Sequence, residues 1–473
     1  MCTVIQNFGR NVSFAPEVFV APQTEAEVLQ LLAQHQGKQI RVIGRLHAWS
    51  EAARGDVVVL DLRHLNNVVM EPRSDGVWAT VGAGCQIKKL LVELERQAGV
   101  TMPSLGLISE QAIAGAISTG THGSGKNSLS HYISEVRVAT YDPATGEPII
   151  RTISDGAELQ AARCSLGCLG VILSVGLWCR PQYQVEEHFQ RYDKLDDVLA
   201  AEVSFPLQQF FFVPWSWDFY VQHRREVSAP RSWLAILYRT YWFLVMDVGL
   251  HLFVMLFAKF WKSSSAIRFF FRRILPGAVV RNWRVVDKSQ DMLIMEHELF
   301  RHIEIEVFVK RSQLAEALQF VTQLLRHFDG EGDAFSEANR QRLIVTELWD
   351  TLATNSERYT HSYPICVRKV LPDDTLMSMA SSLDEPHYAI SFANYARPNE
   401  RQGFFQFGSS LTDTMARLFD ARPHWGKWCP LNSQQAETLY PRLDEFRIIC
   451  RRFDERGVFT NPWLARLLFS QQG

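Results

Sequence analysis

The stretch "SLGLISEQAIAGAISTGTHGSG", Ser104 to Gly125, constrains the fold more than any other part of the chain. Gly115, Gly120, Gly123 and Gly125 interleave there with Ala114, Ala116, Ser118, Thr119, Thr121 and Ser124. Small residues let a backbone approach a neighbour or a ligand closely, and hydroxyl and N–H groups on such a loop can cradle phosphate. A glycine-rich turn with no ligand is the plainer alternative. The spacing is not GxGxxG opening a helix after a strand, and the chain has no GxxxxGK[ST], so neither a Rossmann fingerprint nor a P-loop fits.

A second loop shares this character. "RVIGRLHAWS", Arg41 to Ser50, leaves a β-branched strand through Gly44 and presents His47. Around the two loops the first quarter alternates strands with helices. "TEAEVLQLLAQH" opens with the capping-box pair Thr24 and Glu27. "QIRVIG", "DVVVLDL" and "VWATVGAG" read as strands, and "QIKKLLVELERQAG" as a helix with Ile87, Leu90, Leu91 and Leu94 inward, closed by Gly99. "CSLGCLGVILSVGL" completes an α+β unit near residue 180. Two small-residue loops on one such unit point to a single extended, phosphate-bearing cofactor.

Length and composition bound the rest. A chain of 473 residues predicts two or three domains. With 47% apolar and 21% charged residues it is an ordinary globular balance, and a net charge of −2 gives no field to recommend nucleic acid as a partner. The eight cysteines form no CxxC pair and no zinc spacing, so no metal is expected and reduced thiols in a cytosolic-type compartment are. The N-terminus "MCTVIQNFGRNVSFAPE" has no basic start and apolar run, so no secretory signal is expected.

The ordered set "RVIGRLHAWS", "VGAG", "AIAGAISTGTHGSG", "SLGCLGVI", "RPHWGKW" and "GVFTN" resembles the aldonolactone oxidase branch of the vanillyl-alcohol-oxidase-type flavoproteins. That branch includes gulonolactone, arabinonolactone and alditol oxidases. The resemblance covers nearly the whole chain, least well between about 225 and 300. It implies an α+β fold: a PCMH-type FAD-binding domain of two subdomains over 1–180, divided near 75, and an α+β cap or substrate domain over 181–420. Residues 421–473, with the HWGK motif, then return to the first domain. Val42, Ile43, Gly44, Arg45, Leu46 and His47 should wrap the FAD pyrophosphate. Ser109, Ala114, Gly115, Ser118, Thr119, Thr121 and Gly125 should line the cofactor, with Ile172 near the adenine. His47 stands where relatives bond covalently to the flavin, although Ala48 removes a neighbouring hydroxyl that could orient its ring. Gly106 stands where a related dehydrogenase has an alanine that resembles an oxygen gate, so oxygen is expected as the acceptor.

Oxidising an alcohol requires a group that takes the O–H proton as hydride leaves the carbon. "PHWGKW" supplies His424 and Lys427, and "RHIEIEVFVK" supplies Glu304 and Glu306 on one strand face, or on a solvated outer face. Glu306 aligns better with the family's acidic residue, and Glu306 and Lys427 are expected to polarise and position substrate hydroxyls. Arg368 either neutralises charge on reduced flavin or substrate, or pairs with Asp373 or Asp374. The Trp of HWGK is read as exposed. An aldono-1,4-lactone is the expected substrate, with an alditol or a lipid-linked sugar as alternatives. A flavin-binding scaffold without turnover is the rival class.

The most apolar segment lies in an arm over 230–280. Residues 240–258, "TYWFLVMDVGLHLFVMLFA", have the length of a membrane span but carry Asp247 and His251 one helical turn apart. That pair suits a helix lying in a membrane interface, and "KFWKSSSAIRFFFRR" adds cations among aromatics. Membrane association facing a reducing compartment is expected, with a buried arm or a dimer contact as the alternative, and otherwise a cytoplasmic protein.

Overall fold

The computed structural model describes residues 4–256, 263–295, 300–354 and 358–469. Three larger sheets, a two-stranded ribbon of Ile5–Gln6 with Ser13–Phe14, and two large cores organise these residues. The first is a parallel sheet in which Val58–Asp61 lies between Val18–Val20 and Ile40–Ile43. The helix Glu25–Gln34 provides the crossover, with the Thr24 side chain accepting from the Glu27 N–H. Glu27 reaches back to the N–H of Gln23 rather than that of Thr24, so the expected capping box is displaced by one residue.

The second sheet is antiparallel, in the order Pro148–Ile153, Ile133–Tyr141, Val171–Pro181, Gly76–Gly82, Val68–Arg73. Residue 75 lies in the turn between two strands of this sheet that pair with each other. The subdomain division therefore falls before residue 68, not near 75. The helix Ile87–Ala98 buries Ile87, Leu90, Leu91 and Leu94, and Gly99 closes it with φ 63°, a left-handed cap that a Cβ would strain.

The third sheet has eight strands and carries the other wall of the site. Its order is Val285–Lys288, Gln184–Tyr192, Phe219–Val227, Gln209–Phe212, Ile365–Val370, His387–Asn394, Ile303–Lys310, Arg422–Pro423. Leu314–Phe328 and Gln402–Phe419 pack on it, sharing Phe320, Leu324, Phe407 and Leu411 with the sheet's Ile305, Val307 and Phe392 in one core. The final helices cross back: Phe446, Ile449, Phe453, Trp463 and Leu464 belong to the core of the first two sheets.

The arm is helical, with Ala235–Trp242, a π-helical Phe243–Leu250 and His251–Val254 running continuously. No described helix is long and apolar enough to cross a membrane. Asp247 and His251 point inward to a cavity, while Ile236, Leu237, Leu244, Leu252 and Leu256 are exposed. This is the reverse of the interfacial orientation expected, in which the polar pair would face headgroups. Residues 259–262 of the cationic segment lie outside the described residues, as do 296–299.

Candidate functional site

Two cavities meet behind the strand Ile303–Lys310. One lies among the three sheets. It is lined by Val42, Ile43, Gly44, Arg45, Leu46 and His47, by Ala114, Gly115, Ser118, Thr119 and Thr121, by Ile172, and by Glu304, Glu306, Arg368, His424 and Lys427. The structure thus brings both loops and the HWGK turn to one place. Three expected cofactor residues are elsewhere. Gly106 is packed so that a Cβ would lie 2.9 Å from the Thr121 methyl; Gly125, at φ 76°, has Pro206 O 1.9 Å from its would-be Cβ. Ser109 gives its carbonyl to the N–H of Lys88. None of the three lines this cavity.

The HWGK turn is docked on the strand by backbone bonds. His424 N–H donates to Glu306 O and Trp428 N–H to Glu304 O, each at 2.9 Å. Trp49 N–H donates to Gly426 O, and Ser50 Oγ donates to Trp425 O, which ties the His47 loop to the same turn. Trp425 is fully buried, its Nε1 donating to Met377 O at 2.6 Å, contrary to the exposed Trp expected.

Glu304 and Glu306 face inward, not to solvent. Glu306 is fully buried and accepts from Arg368 Nη2 at 2.7 Å, with His122 Nε2 at 3.5 Å from its other oxygen. Burial alone would raise this carboxyl, but the Arg368 guanidinium and His122 hold it well below the usual carboxylate range. Arg368 therefore pairs with Glu306. Asp373 instead accepts from Ser128, Thr375 and Ser378, and Asp374 from Arg163 and Gln160, so the surface pairing considered for Arg368 is absent. Lys427 pairs with Glu304, the other carboxylate of the strand face. Burial also disfavours the charged form of Glu304, yet Lys427 and His302 outweigh it and keep the carboxylate ionised. Burial pushes the His424 imidazole down to about 3, and its Nδ1 accepts from the Gly426 N–H, so the neutral ring carries its proton on Nε2.

Three residues that the sequence did not single out belong to this place. His122 sits inside the glycine-rich loop, within reach of Glu306 and His424. His302 occupies the strand face shared with Glu304 and Glu306. Arg41 is buried and lines the first cavity; its guanidinium donates to the carbonyls of Phe459, Ala52 and Leu166, and its Nε has no hydrogen-bond partner among the described residues. The signals were slight: a charged residue in a four-residue inner strand, and a period-two run His302, Glu304, Glu306.

Residues 207–467 match the family described as D-arabinono-1,4-lactone oxidase, and residues 16–147 that described as FAD binding domain. The chain belongs to the aldonolactone oxidase branch of the vanillyl-alcohol-oxidase-type flavoproteins. It is 53% identical to a long-chain alcohol oxidase of an uncultured marine euryarchaeote, over 98% of this chain and 96% of that protein. It is 26% identical to the L-gulonolactone oxidase of Scyliorhinus torazame, over 98% of each. Cholesterol oxidase from B. sterolicum shares the fold, with a TM-score of 0.72 over 99% of this chain and 97% of that one at 14% identity. The α+β fold is thus of the PCMH type, and the protein is an FAD-linked oxidoreductase acting on CH–OH donors.

The first cavity fits FAD. Arg41 offers a buried cation answered only by neutral carbonyls, which suits a pyrophosphate. Gly115 has nothing within 4 Å of a would-be Cβ, so its bare backbone faces open space. Arg41→Gln should weaken FAD binding by about 2 kcal/mol, roughly 30-fold. Flavin titration in a His47→Ala background measures this; unchanged affinity in a folded variant would remove Arg41 from the cofactor site.

Proposed function

We propose that this enzyme oxidises the CH–OH group of an amphipathic alcohol, whose apolar chain lies beneath the arm while its hydroxyl meets Glu306 and Arg368. The second cavity carries this reading. It measures about 280 Å³ against about 180 Å³ for the first. Phe189, Phe211, Trp242, Phe243, Met292 and Ile294 are among its walls. Leu107, Ile108, Glu304 and Arg368 line both cavities, so a chain in the second leads to the carboxylates in the first. The relative named a long-chain alcohol oxidase is consistent with such a substrate.

FAD, when bound, accepts the hydride. The residues of this chain handle the hydroxyl. Arg368 Nε is buried and has no hydrogen-bond partner among the described residues, and Glu306 Oε2, also buried, has only His122 Nε2 at 3.5 Å. A substrate hydroxyl that donates to Glu306 Oε2 and accepts from Arg368 Nε satisfies both, and the 2.7 Å pair between them fixes its orientation. Lys427 and the Nε2–H of His424 add positive potential along the same wall.

An aldono-1,4-lactone remains the second reading, favoured by the number of polar groups on this wall and by the gulonolactone oxidase relative. Anaerobic flavin bleaching by 1-alkanols of increasing length, against L-gulono-1,4-lactone and xylitol, separates the readings. Reduction should improve as the alkanol lengthens from about four to about twelve carbons, by roughly tenfold per two buried methylenes until the cavity is filled. Bleaching by the lactone alone would contradict the amphipathic substrate. Oxygen is the proposed acceptor, supported by the oxidases among the relatives and no longer by Gly106.

His47 is proposed to hold FAD covalently. Its Nδ1 lies 3.0 Å from the Arg45 carbonyl, an acceptor only, so Nδ1 carries the proton and the nucleophilic lone pair resides on Nε2. The Phe8 ring stacks on the imidazole at 5.2 Å. These two contacts replace the hydroxyl that Ala48 lacks. Acid-precipitated protein should stay yellow, and His47→Ala should release the colour; full extraction from the unaltered protein would refute the bond.

The outer face of the arm is proposed to rest on an anionic bilayer. Leu244, Leu252 and Leu256 are exposed on it, and the exposed Arg272 and Arg273 follow within the arm, with Arg281 and Arg284 just beyond it. Co-flotation with phosphatidylserine vesicles at low salt is expected, reduced by high salt and lost in Leu244→Glu/Leu252→Glu. A wild-type protein that stays at the bottom of the gradient would contradict it.

A further inference from the structure

We propose that Trp242, stacked on Phe189, stops the far end of the second cavity and limits the substrate's alkyl chain to about eleven carbons beyond the one that carries the hydroxyl. The inference rests on the amphipathic-alcohol reading and adds which chain the site accepts. It comes from the direction in which the cavity crosses the third sheet.

Four residues in register on four neighbouring strands line the cavity. Arg368 stands opposite Gln209, Gln209 opposite Gln222, and Gln222 opposite Phe189. Residues in register point to the same face of a sheet. The cavity therefore runs across the strands, from the hydroxyl's partner Arg368 on Ile365–Val370 to Phe189 on Gln184–Tyr192. Gln209 Nε2 donates to Gln222 Oε1 at 2.7 Å, so the two amides between these ends answer each other. Phe211, Phe243, Met292 and Ile294 supply apolar contacts along the way.

The sheet is also a ruler. Neighbouring strands lie about 4.8 Å apart, so the three steps from Arg368 to Phe189 span about 14 Å. Carbon–carbon bonds of about 1.5 Å in an extended zigzag advance about 1.25 Å each. The span thus holds about eleven carbons.

At that end the cavity closes on aromatic rings. The Trp242 indole lies on the Phe189 ring with centroids 4.0 Å apart and planes 29° apart. Tyr238 and Tyr241 meet the indole edge-on at 5.9 and 5.2 Å, and both also contact Trp283. Their hydroxyls tie the rings down: Tyr238 donates to Glu187 Oε1 at 2.7 Å, and Tyr241 donates to Ala278 O. The other oxygen of Glu187 accepts from Arg224 Nε at 2.6 Å, and both residues are buried. A chain that pushed the rings aside would disturb this ion pair, and a buried charge that loses its partner is costly. The half-buried Trp242, last residue of the helix Ala235–Trp242, is therefore the part of the wall whose size decides where the chain ends.

Anaerobic flavin bleaching by 1-octanol through 1-hexadecanol tests it, with apparent affinity taken from the concentration dependence. In the wild type, affinity should rise to a ceiling near 1-dodecanol. In Trp242→Ala the rise should continue by about two or more carbons, tightening 1-tetradecanol about tenfold relative to the wild type. Should Trp242→Ala fail to fold, Trp242→Phe moves the ceiling in the same direction by a smaller step. A ceiling that stays in place in a folded variant, or a wild type whose affinity still rises at 1-hexadecanol, overturns the stop. Calorimetric binding of the same alkanols to the oxidised enzyme separates this claim from the reading beneath it. A binding ceiling that moves with Trp242, in an enzyme the alkanols do not reduce, keeps the stop and removes the alcohol-oxidation reading. No binding at any length overturns both.

Discussion

Two carboxylates on alternate positions of one strand, both turned away from water, set the terms for the rest of this molecule. Glu304 and Glu306 share a face of Ile303–Lys310, and an ionised carboxylate in such a place is costly unless a cation and further donors attend it. Removing one member of a buried pair of this kind costs about 3–5 kcal/mol. Each carboxylate here lies between a histidine and a permanent cation: His122 and Arg368 for Glu306, His302 and Lys427 for Glu304. The four partners come from the glycine-rich loop, the strand Ile365–Val370 two places away in the same sheet, the residue just before Ile303–Lys310 and the HWGK turn. Satisfying two carboxylates thus requires the FAD domain, the cap and the chain's return to be assembled together.

The backbone follows the same logic. The HWGK turn lies against the strand because His424 and Trp428 donate to the carbonyls of the residues whose side chains it serves. Gly426 has no room for a Cβ against Thr119, 3.0 Å away, so the turn can lie directly on the small-residue loop. Gly123 and Gly125 serve the same closeness in another way: would-be Cβ atoms there meet the carbonyls of Leu105 and Pro206 at 2.2 and 1.9 Å. Part of the glycine density in Ser104–Gly125 therefore packs the loop on itself, at Gly123, and on Pro206, at Gly125, and only part lines the first cavity.

Much of this was legible in the sequence. Period and capping gave the helices Glu25–Gln34 and Ile87–Ala98, and the small-residue motifs with HWGK gave the flavoprotein branch and most of the cavity wall. What escaped was pairing across distance. Strand spacing put Glu304 and Glu306 on one face but could not say that Lys427 would take the first and Arg368 the second. Gly106, Ser109 and Gly125 share the composition of their neighbours, and composition does not distinguish a glycine that faces a ligand from one that faces a carbonyl. Asp247 and His251 were visible as a polar pair on an apolar helix. Which way the helix would turn depended on a cavity formed by strands far away in the chain, and the π-helical turns of Phe243–Leu250 shift the faces that a 3.6-residue period assigns.

The central claim is that chemistry occurs where the two cavities meet, with hydroxyl and chain divided between them. A crystal structure of the FAD-loaded protein soaked anaerobically with 1-dodecanol tests it most directly. The account predicts the hydroxyl within about 3 Å of Glu306 Oε2, and the alkyl chain running past Leu107 and Ile108 to Trp242 and Phe243. A chain bound on the outer face of the arm alone, or a hydroxyl remote from Glu306 and Arg368, would contradict it.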